Sequence, residues 1–217
     1  MILSFKELRK SRLLKLVIAT RNQKKVEEIR RVTKGSSLDL QSLDEFPGCP
    51  EVVEDGETFR DNAIKKAVEV AAYCGCAALA DDSGLVVDAL QGAPGVFSAR
   101  YAGPDATDQD NLEKLHTAMQ PVADQERSAR FVCVLAIADP AGNAETFDGV
   151  VEGVIAKEAQ GNNGFGYDPL FVPVEQNNDG KGRTFAEMSA EEKDRISHRG
   201  RALAHFAESL TSRSSNT

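Results

Sequence analysis

Two adjacent carboxylates, Asp81 and Asp82, close the small-apolar run Ala77-Ala-Leu-Ala80 and are followed by Ser83-Gly84-Leu85. An apolar run that stops in acid and glycine reads as a buried strand delivering carboxylates to the edge of a sheet. Open α/β sheets bind their ligands at such strand ends. Successive strand residues face opposite ways, so the two aspartates take different tasks. One holds a metal ion or a water; the other ties down backbone or meets a second ion. The same residues also suit a turn in which the Asp side chains cap their own backbone, and on Asp-Asp-Ser-Gly alone the two readings weigh equally. A glycine-rich stretch, Gly92-Ala-Pro-Gly-Val-Phe-Ser-Ala-Arg-Tyr-Ala-Gly103, follows.

Three further clusters carry usable chemistry. Thr20-Arg21-Asn22-Gln23-Lys24-Lys25 lies where a strand should pass into a helix. Backbone N–H groups at a helix N-terminus together with lysine make a phosphate site, although taken alone the segment suits an ordinary capped surface helix better. Neither G-x-x-x-x-G-K-[ST] nor G-x-G-x-x-G occurs, so P-loop and Rossmann readings fail. In Gly161-Asn-Asn-Gly-Phe165-Gly166-Tyr167-Asp168-Pro-Leu-Phe171 the glycines let backbone approach a ligand closely. Its aromatic rings offer faces on which a base stacks, and a flexible loop with aromatic anchors fits equally well. Lys193 with Ser197-His198-Arg199-Gly200 supplies donors for a carbonyl or a phosphate. A solvated charged face is the commoner use of such a run.

The elements that must position these groups follow from periodicity. Leu14 to Thr20 reads as a first strand; Asn22 caps a helix carrying Val26, Ile29 and Val32, stopped by Gly35. A loop through Pro47, Gly48 and Pro50 leads to Glu51-Val-Val-Glu54-Asp55-Gly56, and a second helix runs from Thr58 to Tyr73. After the Ala77 strand and its turn, Leu85 to Leu90 reads as another strand, and Thr107 caps a helix with Leu112, Leu115 and Met119 inward. Arg130 to Ala138 is apolar enough for a central strand, and Pro140-Ala-Gly-Asn143 turns it into an antiparallel partner over Glu145 to Ala156. Ser189-Ala-Glu-Glu192 is a capping box opening the last helix, with Ile196, Leu203, Phe206 and Leu210 packed inward. Strands and helices in this order make an α/β fold with a mixed sheet.

The 217 residues suffice for one large domain or two small lobes. A formal net charge of −8 argues against a nucleic-acid polymer as partner, since duplex binding needs a basic face. A small anion needs only the local cations. The four cysteines lack the spacing of a zinc site, and Cys133 sits in an apolar run; reduced thiols fit a cytoplasmic protein. No apolar stretch has the length of a membrane span, and the opening residues lack the features of a signal peptide. Residues 1–13 are expected to be a poorly ordered extension, 14–210 one domain, and 211–217 a disordered tail.

Taken in order, the blocks Thr20-x-Asn22-x-x-Lys25-x-x-Glu28, Glu57-Thr-Phe-x-x-Asn62-Ala-x-x-Lys66-Ala, Asp81-Asp82-Ser83-Gly84-Leu85, Gly92-x-Pro94-Gly95-x-x-Ser98-Ala-Arg100-Tyr101, Gly164-Phe-Gly-Tyr-Asp-Pro-x-Phe171 and Ser197-His-Arg-Gly200 make a specific set. From Leu16 to Leu210 the chain resembles the inosine/xanthosine triphosphate pyrophosphatases, the non-standard purine nucleotide hydrolases. The resemblance implies a mixed, partly antiparallel curved sheet flanked by helices, in two lobes with an active-site cleft between them. It implies Mg²⁺-dependent hydrolysis of ITP, dITP and XTP to the monophosphate and pyrophosphate by a cytoplasmic homodimer.

By the same resemblance, Asp82 binds the metal and takes a proton from the attacking water, with Ser83 touching substrate beside it. Thr20, Arg21, Asn22, Gln23, Lys24 and Lys25 hold phosphates, with Lys66 a further cation. Phe165, Gly166, Tyr167 and Asp168 frame base and sugar, and Lys193, His198 and Arg199 approach the base or the phosphates. Hypoxanthine and xanthine present the acceptor O6 where adenine has an amine, which suits donors such as His198 and Arg199. The family often has Glu-Glu-Thr-Gly before its second helix, and here Val53-Glu54-Asp55-Gly56 stands in its place. Glu54 is the expected second metal carboxylate, with Glu51 and Asp55 as replacements. Glu175 to Gly182 is longer than usual and is expected to be a flexible surface loop. Two other classes remain: a phosphatase, which would show D-x-D after a strand, and a regulator without catalysis, which would lack the metal carboxylates.

Overall fold

Leu14, Leu16, Val17 and Ile18 are all buried in the first strand, β1 (Leu14–Ile18). Burial on both faces is what a strand in a covered parallel sheet requires. In this computed structural model, which describes residues 14–36, 38–176 and 182–211, β1 pairs in parallel with β2 (Leu38–Ser42) and with β3 (Ala78–Val87). The remaining strands are β4 (Ser128–Ala138), β5 (Ala144–Ile155) and β6 (Phe171–Pro173), and the sheet order is β2-β1-β3-β4-β5-β6. A tight turn joins β4 to β5, with the amides of Asp139 and Gly142 closing it onto Asn143 and Asp139. β6 runs antiparallel to β5. The sheet is therefore mixed. The expected 1–13 extension, residues 212–217 of the tail and most of the 175–182 loop lie outside the described residues.

The helices are α1 (Gln23–Val32), α2 (Phe59–Cys74), α3 (Asp108–Met119), α4 (Ala190–Ile196) and α5 (His198–Thr211). Asn22, Thr58, Thr107 and Ser189 cap the first four, each side chain accepting an amide proton that the first turn cannot satisfy internally. None is long and apolar enough to cross a membrane.

The chain gathers into two compact units. The first runs through Asp82 and adds Cys133–Gly149 and the chain from Arg199. Its strands alternate cleanly: Leu16, Ile18 and Leu79 pack with Val26, Ile29, Leu203 and Phe206, while Val17, Ala19, Ala78 and Ala80 pack with Ala63, Ala67 and Val70. Period-two alternation thus lays α1 and α5 on one face and α2 on the other. The second unit, Ser83–Val132 with Val150–His198, centres on Leu85, Leu115, Phe131, Phe171 and Phe185.

Three expectations are corrected. The Asp-Asp-Ser-Gly segment is no turn, because β3 runs unbroken from Ala78 to Val87 and absorbs the separate strand expected at Leu85. Pairing with its neighbours in the sheet interior outweighs the local turn preference and lets the strand continue; the chain turns only at Gln91 and Gly92, both at positive φ. The expected last helix is broken at Ser197, whose ψ of 156° is extended, so α4 and α5 are separate. β2 and β6 were not anticipated: the first is a half-buried polar strand, Leu-Asp-Leu-Gln-Ser, and the second spans only Phe171–Pro173.

Gly153 of β5 faces Pro173 of β6, and a Cβ there would press on the Phe171 ring and lie 2.5 Å from the Val172 carbonyl oxygen. Gly153→Ala should therefore cost about 1–3 kcal/mol, the usual penalty of overpacking. Urea unfolding measures it; an unchanged midpoint would mean that β6 yields without cost.

Candidate active site

At the β1–α1 junction, Asn22 Oδ1 accepts the amides of Lys24 (3.1 Å) and Lys25 (3.3 Å), and Thr20 Oγ1 accepts that of Asn22 at 3.2 Å. These bonds fold Thr20–Lys25 tightly into the positive end of the α1 dipole, with Gln23 and Lys24 exposed. Arg21 donates to the carbonyl of Cys49 and so anchors the loop that leads to Glu54.

Asp81 and Asp82 do face different partners. Arg199 donates to Asp81 Oδ2 from Nη2 (2.8 Å) and Nε (3.2 Å), while Lys25 Nζ lies 3.2 Å from Asp81 Oδ1. The other side of the same guanidinium pairs with Glu28 of α1. Burial alone would raise the Asp81 carboxyl, but Lys25, Arg199 and Lys66 together hold it far below the usual carboxylate range.

Asp82 points instead toward α2. Asn62 Nδ2 donates to its Oδ2 at 3.2 Å, and both side chains are buried. Here burial wins: it pushes the Asp82 carboxyl up to about 6 against the pull of Lys66, and the nearby charge of Glu54 adds to the rise. Lys66 Nζ donates to Glu54 and, at 3.0 Å, to the Asp81 carbonyl. Its ammonium is held charged because Glu54, Asp81 and Asp82 outweigh its own desolvation. Of the alternatives to Glu54, Asp55 is diverted to Lys65 at 2.6 Å and Glu51 is exposed.

Among the described residues no group of three or more His, Cys, Asp or Glu side chains is disposed to hold a metal ion. Mg²⁺ needs only one or two carboxylates, since water and phosphate oxygens complete its octahedron. Asp82 and Glu54, close enough for one charge to oppose ionisation of the other, are a donor set that fits it.

In the second unit, Asp168 Oδ2 accepts Lys193 Nζ at 2.6 Å and the Phe165 amide at 2.9 Å. Lys193 Nζ lies 4.9 Å from the centre of the Phe165 ring, within cation–π range. Tyr167 is buried and its hydroxyl donates to the Ser98 carbonyl at 2.8 Å. His198 stacks on Phe131 with centroids 4.7 Å apart. Phe165, Gly166 and Ser83 remain partly exposed. The run Lys193–Arg199 is thus no solvated face, for Lys193, His198 and Arg199 are all buried.

Two expected contacts change character. Arg199, anticipated at the purine O6, spends its guanidinium on Asp81 and Glu28, because two buried carboxylates need its charge. Tyr167, anticipated beside base and sugar, has both ring and hydroxyl committed to the fold. Sequence reasoning gave no role to Glu28 or Asn62, although both stand in the quoted blocks. The signal was there: Glu28 is three residues from Lys25, and Asn62 is one helical turn from Lys66.

Arg199→Ala would leave Glu28 and Asp81 buried without their shared cation. Loss of one partner of a buried pair costs about 3–5 kcal/mol, to be read from denaturant unfolding. Turnover of dITP and dATP should fall by the same factor; a loss confined to dITP would return Arg199 to the base.

The sequence profile of the Ham1 family matches residues 16–209. A dITP/XTP pyrophosphatase of Syntrophobacter fumaroxidans is 54% identical over 190 residues, 87% of this chain and 78% of that protein. One from Desulforamulus reducens is 51% identical over 197 residues, 91% of this chain and 96% of that protein. The solved structure of a HAM1 protein from Coxiella burnetii superposes with a TM-score of 0.82 at 42% identity, covering 92% of this chain and all of that one. On sequence and on fold alike, the chain belongs to the Ham1 family.

Proposed function

We propose that the protein hydrolyses the non-standard purine nucleotides dITP, XTP and ITP to the monophosphate and pyrophosphate. The observation that carries this is the nearness of the Asp82 and Glu54 carboxylates, with Lys66 of α2 donating to Glu54 and the charge of Lys25 acting on Asp82. The relatives from Desulforamulus reducens and Syntrophobacter fumaroxidans, both dITP/XTP pyrophosphatases, support the same reading.

In this reading the amides and lysines of Thr20–Lys25 receive the phosphates, and Lys66 adds positive charge beside the carboxylates. Asp82 and Glu54 would hold Mg²⁺, which when bound neutralises charge on the triphosphate oxygens and polarises the phosphorus. The water oxygen bonds to the α-phosphorus as the bond to the β-phosphate bridging oxygen breaks. Pyrophosphate leaves with that electron pair, and the water's proton passes to the Asp82 carboxylate. Burial and Glu54 raise this carboxyl while no cation is bound, and the charge of a bound Mg²⁺ would keep it ionised and able to accept the proton. Ser83, next along β3, contacts the substrate. Phe165 offers a face to the base, and Lys193 and His198 supply donors toward O6, where adenine presents an amine. A cytoplasmic homodimer is the assembly we assign, checked by light scattering of the purified protein.

Product analysis tests the reaction class: dITP should give dIMP and pyrophosphate as initial products, whereas dIDP with free phosphate would overturn it. Asp82→Asn should lower turnover by at least the ~10²–10⁴-fold contributed by a general base while the circular dichroism spectrum is unchanged. Undiminished turnover in the folded variant would remove Asp82 from the mechanism.

A further inference from the structure

Asn62 is wholly buried, at the end of the first turn of α2, and its amide is used at both ends. The Gly56 amide donates to Oδ1 at 2.8 Å and Nδ2 donates to Asp82 Oδ2 at 3.2 Å. Because a backbone N–H can only donate, Gly56 fixes which end of the amide is oxygen, and so fixes the donor toward Asp82. The contact with Gly56 is close. A Cβ there would lie 2.7 Å from Asn62 Oδ1 and 2.9 Å from Asp61 Cβ, so only glycine lets the loop settle onto the helix. Glu54 lies two residues before Gly56. Its carboxylate is taken by Lys66, one turn beyond Asn62 on the same buried face.

We infer that Asn62 is a positioning residue that sets the Asp82 carboxylate in register with the Glu54 loop. It gives Asp82 a neutral donor rather than a cation, which orients one carboxylate oxygen without neutralising the charge. Lys66 does the complementary work, holding Glu54 and the Asp81 carbonyl. One helix face thereby positions both carboxylates. The inference rests on the proposal that Asp82 and Glu54 form the metal-binding pair.

Partners that orient a ligating carboxylate typically change metal affinity or activity by about 10–100-fold when removed. Asn62→Asp has the same shape and still accepts the Gly56 amide, but presents an acceptor to Asp82. It also buries a further negative charge beside Asp82, so a loss of kcat in Asn62→Asp that Asn62→Ala does not share would report that charge and overturn the positioning role. We expect its kcat for dITP to fall about 10–100-fold, with KM changed by less than about threefold, the pattern of an interaction that matters in the transition state. Asn62→Ala should weaken Mn²⁺ binding about 10–100-fold, read by electron paramagnetic resonance with Mn²⁺ and inorganic pyrophosphate as probes. Wild-type kcat in Asn62→Asp, or wild-type Mn²⁺ affinity in Asn62→Ala, overturns the inference. Asp82→Asn is the reference: loss of Mn²⁺ binding there with intact Asn62 variants overturns the positioning role alone, whereas intact binding and turnover in Asp82→Asn overturn the carboxylate pair and this inference together.

Discussion

Two neighbouring carboxylates inside an interior strand are the constraint around which the first unit is organised. A carboxylate taken out of water is costly unless it is paired or hydrogen-bonded. Side chains at successive strand positions diverge, so one cation cannot serve both. Asp81 receives the full remedy: Arg199 grips one oxygen, Lys25 approaches the other, and Glu28 balances the arginine. Asp82 receives less, a neutral amide and a lysine whose charge is shared with Glu54. The carboxyls move in opposite directions as a result, Asp81 far down and Asp82 up to about 6. Unequal compensation ties one aspartate into ion pairs and leaves the other the more easily protonated.

That inequality depends on how closely α2 lies on the sheet. Its buried face reads Asn62, Ala63, Lys66, Ala67, Val70, Ala71, and Ala78 and Ala80 of β3 pack in the same cluster. Methyl-sized side chains on both elements let the backbones approach. At that separation Lys66 reaches a strand carbonyl and Asn62 reaches the Asp82 carboxylate. Larger residues would fill the same core with more apolar contact and push these polar groups out of reach.

How much of this was legible follows from the range of each interaction. The caps at Asn22, Thr58, Thr107 and Ser189 are local, and the sequence marks them directly. The opposite facing of Asp81 and Asp82 follows from strand geometry alone and holds. Ser83-Gly84, by contrast, misled as a turn signal, because β3 is an interior strand and pairing with its neighbours outweighs the local turn preference. The role of Arg199 was illegible too. A buried guanidinium and one facing a ligand share a residue type, and only the partner 118 positions away distinguishes them. β2 was missed because a half-buried polar edge strand has no apolar run to announce it.

The chain passes from the first unit to the second between Asp82 and Ser83, and the chemistry of the groups changes there. Before that point stand carboxylates and lysines with the α1 N-terminus, groups that answer charge with charge. After it, the Phe165–Asp168 loop offers a half-exposed ring and one buried pair, Lys193 with Asp168, whose charges cancel. A triphosphate calls for net positive charge, but a purine base is uncharged and is told from its relatives by the direction of donors and acceptors. Lys193 has its charge balanced by Asp168, and in the proposed reading its remaining donors would meet the base in a fixed direction. Anchoring of the loop by the Tyr167 hydroxyl and the Phe165 amide keeps that direction constant. The first unit thus leaves one carboxylate partly uncompensated, whereas the second cancels its buried charge within one pair.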